Sequence, residues 1–423
     1  MKVLVVGSGG REHAVIRKLS ENKTIDTIYC APGNGGIADL AECVDIKATD
    51  IEGMVTFAKE NVDFCVVTPD DPLAMGMVDA MEAAGIPSFG PDRKAAEIEA
   101  SKVFAKNLMK KYGIPTAAYE VFDDASKVLD YLKEKNTWPS VIKADGLALG
   151  KGVLIAKNYA EAEEAVKELM VDHKFGASGN EVVVEEFMEG PEVSVLSFTD
   201  GHVIYPMVSS MDHKRANDND EGLNTGGMGT IAPTPVYTKE VADRCMKEIF
   251  LPTVEAMNAE GRPFKGVLYF GLMITSDGPK VVEYNCRFGD PETQVVLPLL
   301  KSDLFDIMRA VHDEKLTDVD VEWEDKCAAC IIEASGGYPE SYKKGYEIYG
   351  LDAHGQHEGV YVYHSGTKVE DGKYYTNGGR VLGITSVGDT LEEALAKSYD
   401  AVKEITFENM HYRTDIARKV IGK

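Results

Sequence analysis

The sequence contains no apolar run approaching the roughly 18 residues that a membrane span needs. It also lacks internal repeats and low-complexity linkers, so neither a solenoid nor a disordered tether is expected. No extended apolar core follows Met1; residues 1–6 lead straight into a glycine turn, and no secretion signal is expected. Positive charge is in short supply. Forty-five Lys and Arg against 70 Asp and Glu leave a net charge of −25. That balance argues against nucleic acid or an anionic membrane as the main partner, but not against small anionic substrates held in a local basic pocket. Cysteines are few and scattered, at 30, 43, 65, 245, 286, 327 and 330. Their odd number points to reduced thiols and a cytoplasmic setting. The Cys327-Ala328-Ala329-Cys330 pair has no second pair behind it and reads as small residues in a strand.

What is present describes a globular chain of two to four domains, since 423 residues are divided at about 100–200 per domain. Over the first hundred residues, apolar runs at 3–6, 25–30 and 64–68 alternate with helical patterns to about Ser20 and over 51–59. This alternation predicts a doubly wound parallel sheet, with residues 86–91 leaving it. A helix is predicted over 95–112, carrying Lys102 and Lys106. Residues 119–186 read as a small α+β unit, with strands at 141–143, 153–156 and 182–185 and a helix over 160–170. The last hundred residues are again α+β, with strands at 328–334 and 381–385 and a helix over 391–405.

Four segments carry chemistry. Gly7-Ser8-Gly9-Gly10-Arg11-Glu12-His13 follows a strand and opens a helix, where backbone N–H groups favour an anion. A dinucleotide fingerprint needs glycine where Glu12 stands and an acid where the second strand ends in Cys30-Ala31-Pro32-Gly33-Asn34. Another phosphorylated ligand, or a purely structural turn, therefore fits better. The second segment, Lys143-Ala144-Asp145-Gly146-Leu147-Ala148-Leu149-Gly150-Lys151-Gly152, lies between two strands. It is not the GxxxxGK[ST] loop, but lysines at its base and tip can fold over a triphosphate. In the third, an apolar strand ends in Glu185-Glu186-Phe187, offering backbone groups to a base edge, and Glu192 follows as a carboxylate for ribose hydroxyls. The fourth, Glu283-Tyr284-Asn285-Cys286-Arg287-Phe288-Gly289-Asp290-Pro291-Glu292, puts Glu283 and Asn285 on one strand face. Two oxygen ligands side by side suit a hard cation that bridges nucleotide phosphates, and Arg287 reaches the same volume. The polar run from Asp212 and the donor-rich turn Asn224-Thr225-Gly226-Gly227-Met228-Gly229 are either a solvated loop or an acceptor site.

Taken together, these segments resemble the ATP-grasp superfamily and, within it, the phosphoribosylamine–glycine ligase family. The matching stretches are 7–13, 32–34, 142–152, 212–215, 224–229 and 287–292, in family order along the whole chain. The resemblance implies an N-terminal α/β domain over 1–100 and a central ATP-grasp domain over 101–118 and 189–325. It further implies a mobile lid over 119–188 and a small α+β C-terminal domain over 326–423. The implied reaction joins glycine to 5-phosphoribosylamine at the expense of ATP, through glycyl phosphate, in a cytoplasmic monomer that uses Mg²⁺ or Mn²⁺. By the same matching, ATP falls to Lys102, Lys143, Lys151, Gly146, Gly150, Gly152, Glu185, Glu186, Phe187 and Glu192. The metal falls to Glu283 and Asn285, and the substrates to Gly9, Gly10, Asn34, Asp212, Asn224, Asp290 and Glu292. Arg287, Asp212 and Lys143 are the implied catalytic groups.

Three departures stand out. Thr68-Pro69-Asp70-Asp71-Pro72-Leu73 carries a shorter acid than is usual in the family, and Ser8 stands where Asn is common. The strand over 267–273 offers no acidic metal ligand. Three other readings compete: another ATP-grasp ligase such as a biotin carboxylase-like subunit, although no Met-Lys-Met biotin stretch is present; a nucleotide-responsive binding protein; and the dehydrogenase weakened at Glu12.

Overall fold

The computed structural model describes residues 1–147, 152–172, 174 and 176–421. Five parallel strands, Lys2–Gly7, Thr27–Pro32, Glu42–Cys43, Phe64–Val67 and Ser88–Phe89, form the first sheet in the order 3-2-1-4-5. Its central strand is apolar without alternation because helices cover both faces. Val3 and Val5 pack with Ile16 and Leu19 of the helix Gly10–Leu19, while Leu4 and Val6 pack with Met54 and Ala58 of the helix Ile51–Asn61. Strand order reverses beside the first strand, where the Gly7–Gly10 turn leaves the sheet, and this is the usual ligand end of such folds.

The segment expected to be the lid is a four-stranded antiparallel sheet of Tyr119–Phe122, Val182–Glu186, Ser140–Ala144 and Val153–Ala156, in that spatial order. Helices Ala125–Lys135 and Tyr159–Val166 cover it and enclose a separate small core that includes Leu132, Ile142, Ala162 and Val184. The central sheet is also antiparallel: Ile204–Pro206, Glu192–Thr199, Gly266–Thr275 and Gly278–Asn285. The last sheet joins Cys327–Ser335, Arg380–Gly388 and Tyr361–His364 to Met211–Asp212 and Gly229–Ala232, so it takes strands from both sides of the expected boundary at 326. The helix Leu391–Glu404 packs on it. No helix among the described residues is long and apolar enough to cross a membrane.

Two predicted helices differ. The stretch 95–112 is two helices, Arg93–Ala100 and Lys102–Tyr112. Ser101 separates them in extended backbone, and its hydroxyl accepts from Phe104 N–H at 3.0 Å as an N-cap. Asp145 reinforces the break by accepting from Val103 N–H (3.0 Å) and the Ser101 hydroxyl (3.2 Å). The helix over 160–170 is α-helical only as Tyr159–Val166 and widens into a π turn at Lys167–Val171. Cys327 and Cys330 lie three apart on one strand and so face opposite sides.

Candidate active site

A cavity of about 1040 Å³ opens where the lid sheet, the central sheet and the C-terminal sheet meet. Its walls include Lys102, Lys143, Gly146, Gly152, Glu185, Glu186, Phe187, Glu192, Asp212, Asn224, Glu283, Asn285, Arg287, Asp290 and Glu292. Residues far apart in the chain, singled out as separate motifs, thus share one space. Gly150 and Lys151 lie outside the described residues. Gly9, Gly10 and Asn34 do not line the cavity; Gly9 lies against its Asp290 wall and Gly10 against Gln294.

At one end three lysines converge. Glu185, buried at the end of its strand, pairs through Oε2 with Lys143 Nζ (3.0 Å) and Lys106 Nζ (3.2 Å), while its Oε1 has no partner. Lys106 also donates to Thr116 Oγ1 (2.8 Å). Burial drives the Lys106 ammonium down to about 8, although Glu185 opposes the shift. Lys102 Nζ donates to the Gly146 carbonyl at 2.7 Å, and burial lowers its pKa despite Glu283. Such a cluster of half-compensated cations suits phosphate oxygens.

In the middle stand Glu283, Asn285 and Arg287. Lys214 bridges Glu192 (2.8 Å) and Glu283 (3.6 Å). Burial pushes the Glu283 carboxyl up, but Lys214, Lys143, Lys102 and Arg287 outweigh it and hold the group below its usual range. In the amide orientation that satisfies its surroundings, Asn285 donates to Glu99 Oε1 (3.0 Å) and the Tyr284 carbonyl (3.0 Å), which leaves its oxygen as the available group. One ionised carboxylate and one amide oxygen fit a hard divalent cation that takes its other ligands from phosphates and water. Among the described residues there is no cluster of three or more His, Cys, Asp or Glu able to hold a metal unaided. Arg287 pairs with Glu99 at 3.0 Å and donates to the Phe288 carbonyl at 3.2 Å. Its buried Nε has no partner.

At the far end, Asp212 and Glu292 lie close together. Burial, then Glu292, push the Asp212 carboxyl well above its usual range, against Lys214 and Arg380. Glu292 accepts from the Ser194 and Tyr269 hydroxyls, each at 3.1 Å. Asp290 is bound by Arg380 (3.3 Å) and by the Gln294 amide (2.8 Å). Burial alone would raise Asp290, but Arg380 and Arg11 override it and keep the group ionised.

The first glycine turn is closed on itself. Glu12 accepts from Gly9 N–H (2.5 Å), Arg11 Nε (2.8 Å) and the Thr68 hydroxyl (2.6 Å), filling the position where a dinucleotide site needs glycine. Asn34 acts as a staple: its amide donates to the Ser8 and His364 carbonyls, both at 2.8 Å, and accepts from Gly36 and Ile37 N–H at 3.0 Å. A side chain at Gly10 would meet the Gln294 amide and the Ser365 hydroxyl within 2.8 Å, so the turn is packed against the Asp290 loop and the C-terminal domain.

Sequence reasoning gave no role to Glu99, Lys106, Tyr269 or Arg380, all of which line the cavity. Lys106 follows Lys102 by one helical turn on the same face, a readable signal. Glu99 and Arg380 belong to no motif, and only the tertiary fold brings them in.

The chain matches three family models: the phosphoribosylglycinamide synthetase N domain over residues 1–99, its ATP-grasp (A) domain over 100–293 and its C domain over 328–419. It is 50% identical over 419 residues to the phosphoribosylamine–glycine ligase of Caldanaerobacter subterraneus subsp. tengcongensis, covering 99% of each chain. To the enzyme of the same name from Vibrio vulnificus it is 47% identical, covering 100% of this chain and 99% of that one. The crystal structure of phosphoribosylamine–glycine ligase from Thermotoga maritima superposes with a TM-score of 0.86 at 33% identity, covering 98% of this chain and 100% of that one. The biotin carboxylase domain of the Hydrogenobacter thermophilus 2-oxoglutarate carboxylase, solved with magnesium and ADP, shares the fold at 18% identity (TM-score 0.73, 97% of this chain and 91% of that one). With its three domain models matched in order and half its residues shared with a full-length relative, the chain belongs to the phosphoribosylglycinamide synthetase family.

Proposed function

We propose that this chain joins glycine to 5-phosphoribosylamine at the expense of ATP, giving glycinamide ribonucleotide, ADP and phosphate in purine biosynthesis, as a cytoplasmic monomer. The observation that carries this reading is the layout of the cavity of about 1040 Å³, with Lys102, Lys106 and Lys143 at one end, Asp212 and Glu292 at the other, and Glu283, Asn285 and Arg287 between them.

Each residue has a task. Lys102 and Lys143 take the nucleotide phosphates, with Lys151 and Gly146, Gly150 and Gly152 folding over them. Glu185, Glu186 and Phe187 meet the base, and Glu192 the ribose. Glu283 and Asn285 hold Mg²⁺ or Mn²⁺, which when bound neutralises phosphate charge and orients the terminal phosphoryl group. Asp212 receives the glycine ammonium, whose charge supplies what this desolvated acid lacks. Asn224, Asp290 and Glu292 face the amine acceptor. The Gly9–Gly10 turn, ordered by Asn34, lies on the side of the ribose phosphate.

A glycine carboxylate oxygen attacks the γ-phosphorus and ADP leaves, forming glycyl phosphate. The acceptor amine then attacks the acyl carbon, loses a proton and expels phosphate. Both steps crowd negative charge, so the chain contributes positioning and electrostatics. Arg287, whose side chain is partly exposed in the cavity, supports the phosphoryl group in both. Glycine labelled with ¹⁸O in its carboxylate tests this route. One label is expected in the released phosphate, and unlabelled phosphate contradicts it.

A further inference from the structure

Glu99 sits near the end of the helix Arg93–Ala100, two residues before the break at Ser101, and is almost fully buried although it lines the cavity. Its carboxylate reaches three successive residues at the end of the strand Gly278–Asn285, on the edge of the central sheet. Oε1 accepts from the Asn285 amide (3.0 Å) and Arg287 Nη2 (3.0 Å), and Oε2 accepts from the Cys286 backbone N–H (2.7 Å). A buried carboxylate that satisfies three donors at once fixes their geometry more tightly than any one bond could. The consequence is directional. Asn285 can donate only through its nitrogen, so a fixed acceptor on that side commits its oxygen to the other. Arg287 has Nη2 taken by Glu99 and Nη1 by the Phe288 carbonyl, which leaves Nε as its one buried donor without a partner.

We infer that Glu99 is a positioning residue: it orients the Asn285 oxygen for the divalent cation and the Arg287 guanidinium for the transferring phosphoryl group, through the triple acceptance at residues 285–287. The inference rests on the reading of Asn285 and Arg287 given above. Glu99 itself touches neither nucleotide nor metal in this role. Its carboxylate does for an amide ligand what an outer carboxylate does for a metal-bound histidine, and loss of such partners generally costs 10–100-fold in metal affinity.

The test compares wild type with E99Q, which keeps the shape but replaces one acceptor oxygen by a donor. ADP binding is measured by calorimetry with and without Mn²⁺, and Mn²⁺ binding to the enzyme–ADP complex by electron paramagnetic resonance. In E99Q the metal-free ADP affinity is expected to stay within about twofold of wild type, while the tightening by Mn²⁺ falls by about tenfold or more. In turnover, kcat is expected to fall on the order of a hundredfold, with the KM for ATP moving far less. A lower melting temperature with unchanged Mn²⁺ coupling and unchanged kcat overturns the inference, because packing alone then explains the residue. Should E99Q not fold, E99D keeps the charge but withdraws it by one methylene, and is read on the same two scales with the same expected direction. E283Q separates the two levels. If it leaves Mn²⁺ coupling intact, the metal reading itself fails; if it abolishes coupling while E99Q does not, only the role of Glu99 fails.

Discussion

Acidification should open the seam between the first glycine turn and the C-terminal domain. His364 is fully buried there, with Nε2 bonded to the Gly355 carbonyl at 2.7 Å and Nδ1 to the Thr367 hydroxyl at 3.0 Å. Its backbone N–H donates to His13 Nδ1 at 2.9 Å, and its carbonyl accepts from Asn34. Burial is the main force that lowers its pKa to about 4, with Arg17 adding to it. The folded state therefore refuses a proton that the unfolded segment accepts at about 6.5. Between these values the unfolded segment binds more protons, so stability is complete above pH 6.5 and is lost as pH falls toward 4. For one such group the loss from pH 7 to pH 5 works out at about 2 kcal/mol. Hydrogen exchange of the strand Tyr361–His364, corrected for intrinsic rates, reads this as opening roughly 20–30 times more frequent at pH 5. His364→Gln removes the titrating ring while keeping a donor for Gly355, so its pH dependence should shrink by that amount. The reasoning fails if both proteins lose protection equally between pH 7 and pH 5.

Three further outcomes follow from the site. Lys143→Ala removes a charge-assisted contact worth about 1.5–3 kcal/mol, so the KM for ATP should rise roughly 10–100-fold while that for glycine barely moves, as steady-state kinetics would show. Gly227→Ala forces a residue with φ of 110° to carry a Cβ 2.5 Å from Asp212 Oδ1 and from Pro291 Cδ. The KM for glycine should rise at least about tenfold with nucleotide affinity intact, a split that competition binding can check. Glu12→Ala leaves Gly9 N–H, Arg11 and Thr68 without their shared acceptor, and should destabilise the N-terminal domain by about 3 kcal/mol in denaturant titration.

The parts of the site that were legible in the sequence are those in which local chemistry departs from its surroundings. Glycines bracketing a lysine after Ser140–Ala144, and a burst of polar residues where Gly278–Asn285 ends, are conspicuous because the neighbouring strands are apolar. Alternation along a strand sufficed to put Glu283 and Asn285 together. The helix break at Ser101 was obscured because apolar spacing continues across it, through Ala95, Ile98, Ala105, Leu108 and Met109. Arg380 reaches Asp290 across ninety positions, and a pairing of that span leaves no periodic trace in a single chain. The same holds for Met211–Asp212 and Gly229–Ala232, whose pattern says strand but not which sheet they join. Asn34 is assigned by the family resemblance alone; that its amide is engaged at both ends by backbone is set by tertiary placement and leaves no mark in the sequence.

The most direct measurement is ADP release with Mg-ATP, glycine and freshly generated phosphoribosylamine, each omitted in turn, with the product identified by mass. The account predicts ADP in step with glycinamide ribonucleotide, and only when all three substrates are present. ATP consumption independent of glycine, or none with the full set, would contradict it and require another carboxylate at Asp212.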